Sequence, residues 1–240
     1  MEKEKIDSNF LEIIELLKKN KIKYWICQGT LLGIIRDKCL IPWDHDIDVA
    51  VWSGTISKEK IKEIMLSNNY ILKKKFSIKD DCLAFIKKGG RDVDINFYEI
   101  GVEKNTNKKI AFINWYIPKN YFCKLVEALS MAKTYNGKLK SLVRLFSIFE
   151  VFFDKFKLFL IKKNLFYKTV GYTQPLEVLQ DFDNIIFQNI EITVPRKSEE
   201  YLSYVYGKGW RIPKQNYNWL KLEDSPSTMT KKGKDLFKYH

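Results

Sequence analysis

The residues best suited to chemistry are two pairs of aspartates, each pair separated by one residue. Asp46 and Asp48 stand at the start of an apolar run, 47–52, that is typical of a strand, so their side chains point to one face. Asp92 and Asp94 repeat this pattern in a later run. Carboxylates held so close repel each other unless a cation such as Mg²⁺ neutralises them. The pattern predicts a metal site for phosphoryl chemistry, and the alternative is solvated acids at strand ends.

A turn of small residues precedes the first aspartate pair. Gly29 and Thr30 follow the buried run 23–27 and open a short helical segment, LLGIIR. The first turn of a helix offers free N–H groups and a positive dipole end, which suit a phosphate. An ordinary helix cap has the same sequence, so both interpretations stay open at this stage.

The elements that must position these residues indicate an α+β fold with a mixed sheet. Apolar spacing predicts helices over 10–17, with Asp7 or Ser8 as cap, over 57–68, capped by Ser57, and over 198–206. Runs at 70–76, 82–87 and 92–100 predict an antiparallel meander. Further strands are predicted at 23–27, 47–52, 111–117 and 185–194.

The segment 135–168 changes in character, because it is rich in Phe, Leu and Ile and its charges are mostly Lys and Arg. Its length and residue types predict helix. One interpretation is a helix lying on an anionic membrane surface, and the other is a pair of core helices. Residues beyond 222 are polar, and we expect a loose tail there.

Amino-acid composition limits the kinds of binding partner and the cellular compartment that the sequence predicts. The chain has 42 basic and 29 acidic residues, a net charge of +13 and a pI near 9.4, which favours an anionic partner. The lysines are scattered and the most ordered motif is acidic, so no nucleic acid is expected. Four cysteines without a C-x-x-C pair and only two histidines argue against a zinc site and indicate a reducing cytoplasm. Neither a signal peptide nor a membrane-spanning run is expected.

At 29–51, the segment GTLLGIIRDKCLIPWDHDIDVAV resembles the signature of the LicD/fukutin family, a branch of the nucleotidyltransferase-fold superfamily. The segment 194–213 is similar to the closing motif of that family. The run 93–97 stands where the family carries its third acid. The resemblance spans roughly 25 to 213 and depends on a long, ordered pattern.

The resemblance implies one domain over 1–222, with a nucleotidyltransferase-like core, flanking helices and a helical insertion at about 120–170, followed by a polar tail at 223–240. It implies that Asp46, Asp48 and Asp94 are catalytic and bind Mg²⁺ or Mn²⁺. The implied substrate-binding residues are Gly29, Thr30, Arg36, Trp43 and Asp44, with Arg36 near the phosphates of the donor. His45 stands where the family usually has Asp, and we expect it to alter the loop.

The activity that the resemblance implies is metal-dependent transfer of phosphocholine, ribitol phosphate or glycerol phosphate from a CDP-activated donor to a glycan hydroxyl. The acceptor would be a cell-surface glycan or its lipid-linked precursor. The enzyme would be cytoplasmic, with 135–168 on the inner face of the plasma membrane. Two alternatives stay open: a nucleotidyltransferase that adds NMP from an NTP to a small molecule, protein or RNA, and a non-enzymatic basic module that binds membranes or nucleic acid.

Overall fold

The computed structural model describes residues 6–75, 80–103, 107–163, 165–215 and 236–238. The helices are α1 (Ser8–Lys19), α2 (Gln28–Arg36), α3 (Lys58–Ser67), α4 (Tyr121–Ser130), α5 (Lys140–Leu145), α6 (Glu150–Lys162) and α7 (Ser198–Tyr206). The strands are β1 (Trp25–Ile26), β2 (Asp46–Trp52), β3 (Ile71–Lys73), β4 (Cys82–Ile86), β5 (Asp92–Glu103), β6 (Lys109–Pro118), β7 (Tyr167–Pro175), β8 (Phe182–Phe187), β9 (Ile190–Pro195) and β10 (Leu236–Lys238). Helices around a mixed sheet confirm the predicted α+β class.

The centre of the sheet is a parallel pair, β2 and β5, inside the strand order β1-β2-β5-β4-β3. Its register sets Asp46 opposite Asp92 and Asp48 opposite Asp94. The other neighbours in this order are antiparallel, which confirms the predicted meander. The parallel pair therefore brings acids from two distant parts of the sequence side by side.

Strand β5 is long and pairs with two different groups of strands. Its first half pairs with β2 and β4, and its second half pairs with β6, which pairs in turn with β7. Helices α4, α5 and α6 lie in sequence between the paired strands β6 and β7. Strand β10 also pairs with β5, near the far end of that strand.

Aliphatic residues that alternate with the acids fix the register of the central strands. Ile47 and Val49 of β2, and Val93 and Ile95 of β5, are completely buried. Burying each of these side chains stabilises the fold by roughly 1.5–3 kcal/mol. A slip of one residue would exchange the face that carries these side chains with the face that carries the aspartates, so the acids are held on the face opposite to the aliphatic residues.

The ends of the predicted helices agree with the structure. The Asp7 carboxylate accepts hydrogen bonds from the N–H groups of Asn9 and Phe10 (2.9 and 3.1 Å), and α1 ends at Asn20. Ser57 caps α3 by accepting from the N–H of Lys60 at 3.2 Å. These contacts are local in sequence, and for that reason their residue types predicted them.

Two sequence predictions differ from the structure. The single strand predicted over 185–194 is wrong, because β8 and β9 form a hairpin there. Gln188 and Asn189 form its turn, both with positive φ (48° and 66°), as two-residue hairpin turns require. The predicted helical segment also stops before β7, a strand that the sequence analysis missed. The expected tail at 223–240 lies outside the described residues, apart from β10.

Candidate active site

Four aspartates converge on a cavity of about 720 Å³. Asp46 and Asp48 come from β2 and Asp94 from β5, while Asp44 comes from the loop that leads into β2. The three acids predicted to be catalytic are thus together, although they lie far apart in sequence. Asp44, predicted to bind substrate, lines the same cavity.

The first turn of α2 holds Asp48 in place from two sides. The N–H of Gly29 donates a hydrogen bond to Oδ2 of Asp48 at 3.1 Å. The N–H of Asp48 donates to the hydroxyl of Thr30 at 2.8 Å. Thr30 is buried, so it positions Asp48 from beneath the cavity. A Cβ atom at Gly29 would collide with the carboxylate of Asp44, so any larger residue there would displace that carboxylate.

Burial and mutual repulsion raise the pKa values of these acids. Burial, followed by the nearby charge of Asp46, raises the pKa of Asp44 to about 7 and that of Asp94 to about 7. Burial, with repulsion from Asp46, Asp94 and Asp44, places the pKa of Asp48 well above its ordinary range. Ionising all of these acids together is therefore unfavourable, and a cation bound among them would favour their charged forms.

The carboxylate oxygens in the cavity suit a hard cation whose remaining ligands come from water and from the phosphates of a substrate. Among the described residues, no three acidic, histidine or cysteine side chains form a ready-made metal cluster. Mg²⁺ usually binds through one or two carboxylates together with water and substrate phosphates. Asp46, Asp48 and Asp94 supply oxygen ligands of that kind in one cavity. Their assignment as metal ligands stays a prediction.

Lysines face the acids across the cavity, and the sequence analysis did not identify them. Lys73, Lys75 and Lys124 all line it. The Nζ atom of Lys73 lies 2.8 Å from a carboxylate oxygen of Asp92. Burial opposes the charge of Lys75, but the surrounding negative groups, Asp94 foremost, hold its pKa above the ordinary value. In a chain so rich in lysine, nothing in the sequence distinguishes these three.

Gln28 is a second residue that the sequence analysis missed. It begins α2 with a positive φ of 47°, which is uncommon for a residue with a side chain. Its N–H donates to the hydroxyl of Tyr201 at 3.3 Å, and its side-chain amide donates to the hydroxyl of Tyr98 at 3.0 Å. Its side-chain oxygen is buried and lacks a hydrogen-bond partner in the described part of the chain. Gln28 is also one of the residues that line the large cavity.

A smaller cavity of about 240 Å³ adjoins the first, and the two share Gly29, Asp44 and Tyr206. Trp43 and Trp210 line the smaller cavity, as does Arg36.

Neighbouring groups hold Arg36 in that smaller cavity. Its guanidinium donates two hydrogen bonds to the carboxylate of Asp37, at 2.8 and 2.7 Å, and a third to the carbonyl of Trp210 at 3.4 Å. Of the predicted substrate-binding residues, Arg36 and Trp43 thus lie beside the acid-lined cavity. His45 is exposed and lines neither cavity.

Comparison with known proteins confirms the family resemblance. Residues 21–126 match the family described as LicD/FKTN/FKRP, nucleotidyltransferase domain. The ribitol-5-phosphate transferase FKTN of Homo sapiens is 23% identical over 215 residues, which cover 85% of this chain and 33% of that protein. The FKTN protein of Mus musculus is 22% identical over 203 residues, covering 85% of this chain and 32% of that protein.

A shorter and stronger match involves 37 residues. They are 57% identical to an uncharacterised protein of Rickettsia prowazekii (strain Madrid E), and cover 15% of this chain and 14% of that protein. The chain thus spans about a third or less of the length of the relatives that it matches. The family match at 21–126 includes all four cavity aspartates.

Replacing Asp94 by Asn is expected to stabilise the protein in the absence of divalent cations. The pKa of Asp94 rises on folding from an ordinary value of 3.8 to about 7, so the folded protein loses stability as the pH rises between those values. The Asp94→Asn protein lacks this loss. Its free energy of unfolding at pH 8 should exceed that of the unmodified protein by on the order of 2 kcal/mol.

The measurement is urea unfolding with EDTA at pH 5 and pH 8. The gain should shrink at pH 5, because the unmodified carboxyl is then mostly protonated. Asp183→Asn, at an exposed acid of the β8–β9 hairpin, is the control; it removes only a surface ion pair with Arg196 and should change the free energy of unfolding by less than about 1 kcal/mol at either pH. An Asp94→Asn protein less stable than the unmodified one at pH 8 would contradict the account of charge repulsion.

Proposed function

We propose, starting from the match of residues 21–126 to the family described as LicD/FKTN/FKRP, nucleotidyltransferase domain, that the chain transfers a phospho-alcohol from a CDP-activated donor to a glycan hydroxyl. The observation that carries the proposal is the group of four aspartates in the large cavity, one of which, Asp44, also lines the small cavity. The relatives named ribitol-5-phosphate transferase support transfer of this type. Ribitol phosphate, glycerol phosphate and phosphocholine are the alcohol phosphates that we consider.

The large cavity is the proposed donor site. Its volume of about 720 Å³ falls in the range of roughly 300–1,000 Å³ that is usual for small-molecule sites. Lys73, Lys75 and Lys124 provide positive charge for a diphosphate. The rings of Trp115 and Tyr172, whose centroids are 5.8 Å apart, provide an aromatic wall for the cytosine.

The small cavity is the proposed site for the acceptor sugar. Trp43 and Trp210 give it flat apolar surfaces, against which the C–H faces of a sugar ring can pack. Arg36, already oriented by Asp37 and by the Trp210 carbonyl, offers a donor for sugar oxygens. Gly29 and Asp44 belong to both cavities, so an acceptor hydroxyl at this boundary would face the phosphate of the donor.

In this proposal the acceptor hydroxyl attacks the phosphorus distal to the cytidine, a new P–O bond forms, and CMP leaves. Asp44 lies at the wall common to both cavities, where its carboxylate can receive the proton of the hydroxyl. Asp46, Asp48 and Asp94 would hold Mg²⁺ or Mn²⁺, which when bound neutralises phosphate charge. Gly29 and Thr30 keep Asp48 oriented through its side chain and its backbone.

Donor binding should stabilise the protein in a metal-dependent way. At about a hundred times its Kd, a ligand adds roughly 2.7 kcal/mol, which corresponds to about 5–10 °C in Tm for a chain of this size. The measurement is thermal unfolding with Mg²⁺ or Mn²⁺ and CDP-ribitol, CDP-glycerol, CDP-choline, CTP, ATP or UTP. One CDP-alcohol should raise Tm, and Asp46→Asn/Asp48→Asn should abolish the shift.

Asp183→Asn should retain the shift and is the control for this experiment as well. A shift with an NTP alone, accompanied by release of pyrophosphate, would replace the proposal with nucleotidyl transfer. Stabilisation by none of the CDP-alcohols would overturn the proposed donor.

Replacing Gly29 by Ala should disable transfer while leaving the fold in place. The added methyl group would meet the Asp44 carboxylate, a side chain that can move, and would lie 3.5 Å from Oδ2 of Asp48. A shift of about 1 Å in catalytic groups typically costs on the order of 100-fold in rate. The rate of CMP release at saturating donor should fall by about that factor.

Gly54→Ala is the matched control, because a methyl group there would meet no atom within 4 Å. It should keep the rate within about twofold. If the Gly29→Ala protein and the unmodified protein had equal rates, transfer would not require the close approach of α2 to the acids, and the prediction would be wrong.

Separate donor and acceptor cavities predict opposite effects of two tryptophan substitutions. Trp43→Ala should raise the KM for the acceptor by about tenfold or more and leave the KM for the donor unchanged. Trp115→Ala, in the large cavity, should do the reverse. Steady-state kinetics with each substrate varied in turn would measure both, and equal effects on the two KM values would contradict the division between the cavities.

A further inference from the structure

The segment from α4 to the start of β7 exposes far more apolar surface than the rest of the molecule. Fourteen of the twenty large apolar side chains exposed in the described residues lie within 121–166. Tyr121, Leu145 and Ile148 are 85%, 73% and 80% exposed. Soluble monomers rarely expose so many neighbouring apolar groups without an interaction partner. We call this surface the apolar face of 121–166.

Aromatic rings make part of this face continuous across two helices. Phe152, Phe156 and Phe159 follow one side of α6, with ring centroids 6.3 and 6.4 Å apart. Phe122 of α4 packs edge-on against Phe156 at 6.3 Å. Phe122, Phe152 and Phe159 are each at least half exposed, so the row presents ring surface to the outside.

The opposite side of α6 already packs against α4 and buries Lys157. The exposed face is therefore not the side by which α6 packs on the core. Leu160 and Ile161 pack with Cys123 and Val126 of α4. The Nζ atom of Lys157 is buried beneath α6, where it donates to the carbonyl of Lys75 at 2.7 Å. Of the two interpretations of 135–168, the inner side thus resembles a core helix and the outer side a membrane helix.

The charge around the apolar face is almost entirely positive. Residues 119–166 contain ten basic and three acidic residues. Glu127 lies 3.7 Å from the buried Nζ of Lys157, and Glu150 is buried and lies 3.1 Å from Nζ of Lys74. Two of the three acids thus form ion pairs with lysines of the protein itself, whereas Lys140, Arg144 and most of the other basic residues are exposed to solvent.

We propose that the apolar face of 121–166 docks on an anionic lipid bilayer and lies in the plane of its interface. Phenylalanine and leucine side chains insert among the acyl chains, as in interfacial amphipathic helices, and the surrounding lysines and arginine contact acidic head groups. None of the helices in the described residues has the length and hydropathy of a membrane-spanning helix.

Docking would also orient the large cavity. The helix that carries Tyr121 and Phe122 on its outer side lines the cavity through Lys124, Glu127 and Ala128. The cavity therefore opens beside the proposed membrane surface, within reach of a lipid-linked acceptor. Only this consequence depends on the proposed function, because the docking itself is measured by binding alone.

The test is co-sedimentation of the full chain with vesicles of phosphatidylglycerol and phosphatidylcholine in equal amounts, and with vesicles of pure phosphatidylcholine, at 50 and 500 mM NaCl. The protein should bind the anionic vesicles at low salt and release at high salt. Leu145→Ser/Ile148→Ser/Phe152→Ser should lower the partition coefficient at least tenfold, because these side chains supply the inserted surface.

Leu66→Ser/Ile71→Ser/Ile186→Ser is the matched control, with three exposed apolar residues changed outside the segment. It should bind as the unmodified protein does, and thermal unfolding verifies that both triple variants are folded. No binding to anionic vesicles at low salt, or equal binding by the two triple variants, would overturn the proposal. A stable dimer in sedimentation velocity that Leu145→Ser/Ile148→Ser/Phe152→Ser dissociates would assign the face to self-association instead.

Discussion

Repulsion between buried carboxylates is the constraint on which the rest of this structure depends. Asp46, Asp48 and Asp94 would separate if the chain allowed it, but the parallel pairing of β2 with β5 sets Asp48 directly opposite Asp94. Burial of the aliphatic residues that alternate with the acids offsets the free energy of this repulsion. Ile47 and Val93, for example, are completely buried. The site is thus a strained arrangement of charge that a well-packed sheet can tolerate.

The same constraint explains the neighbourhood of the acids. The positive end of α2 is directed at Asp48 through the N–H of Gly29, and Lys75 keeps a raised pKa because negative groups surround it. These contacts reduce the repulsion without removing it, since Asp44 and Asp94 still have pKa values of about 7. A cation that binds the acids would relieve this repulsion and at the same time attract a diphosphate, which links the electrostatics to the proposed chemistry.

Local patterns in the sequence predicted what local contacts determine. Alternation placed Asp46 and Asp48 on one face, and Asp7 and Ser57 marked helix starts. The unusual backbone of Gln28 could not be predicted, because Tyr98 and Tyr201 stabilise it from positions 70 and 173 residues away. The lysines at the cavity and the division into two cavities likewise depend on how distant elements pack. The roles assigned to the acids stay predictions.

The helices between β6 and β7 form a wall of the large cavity on one side and the apolar face of 121–166 on the other. Because β6 and β7 pair from Ile110 to Pro118, the segment that joins them must leave the sheet and return to its edge. Its inner side is then fixed against that edge and becomes a wall of the large cavity. Its outer side makes no contribution to that packing, so exposed phenylalanines and leucines there need a separate physical reason. An anionic bilayer supplies one that also accounts for the surrounding basic residues, since lipid tails take the apolar groups and acidic head groups take the lysines.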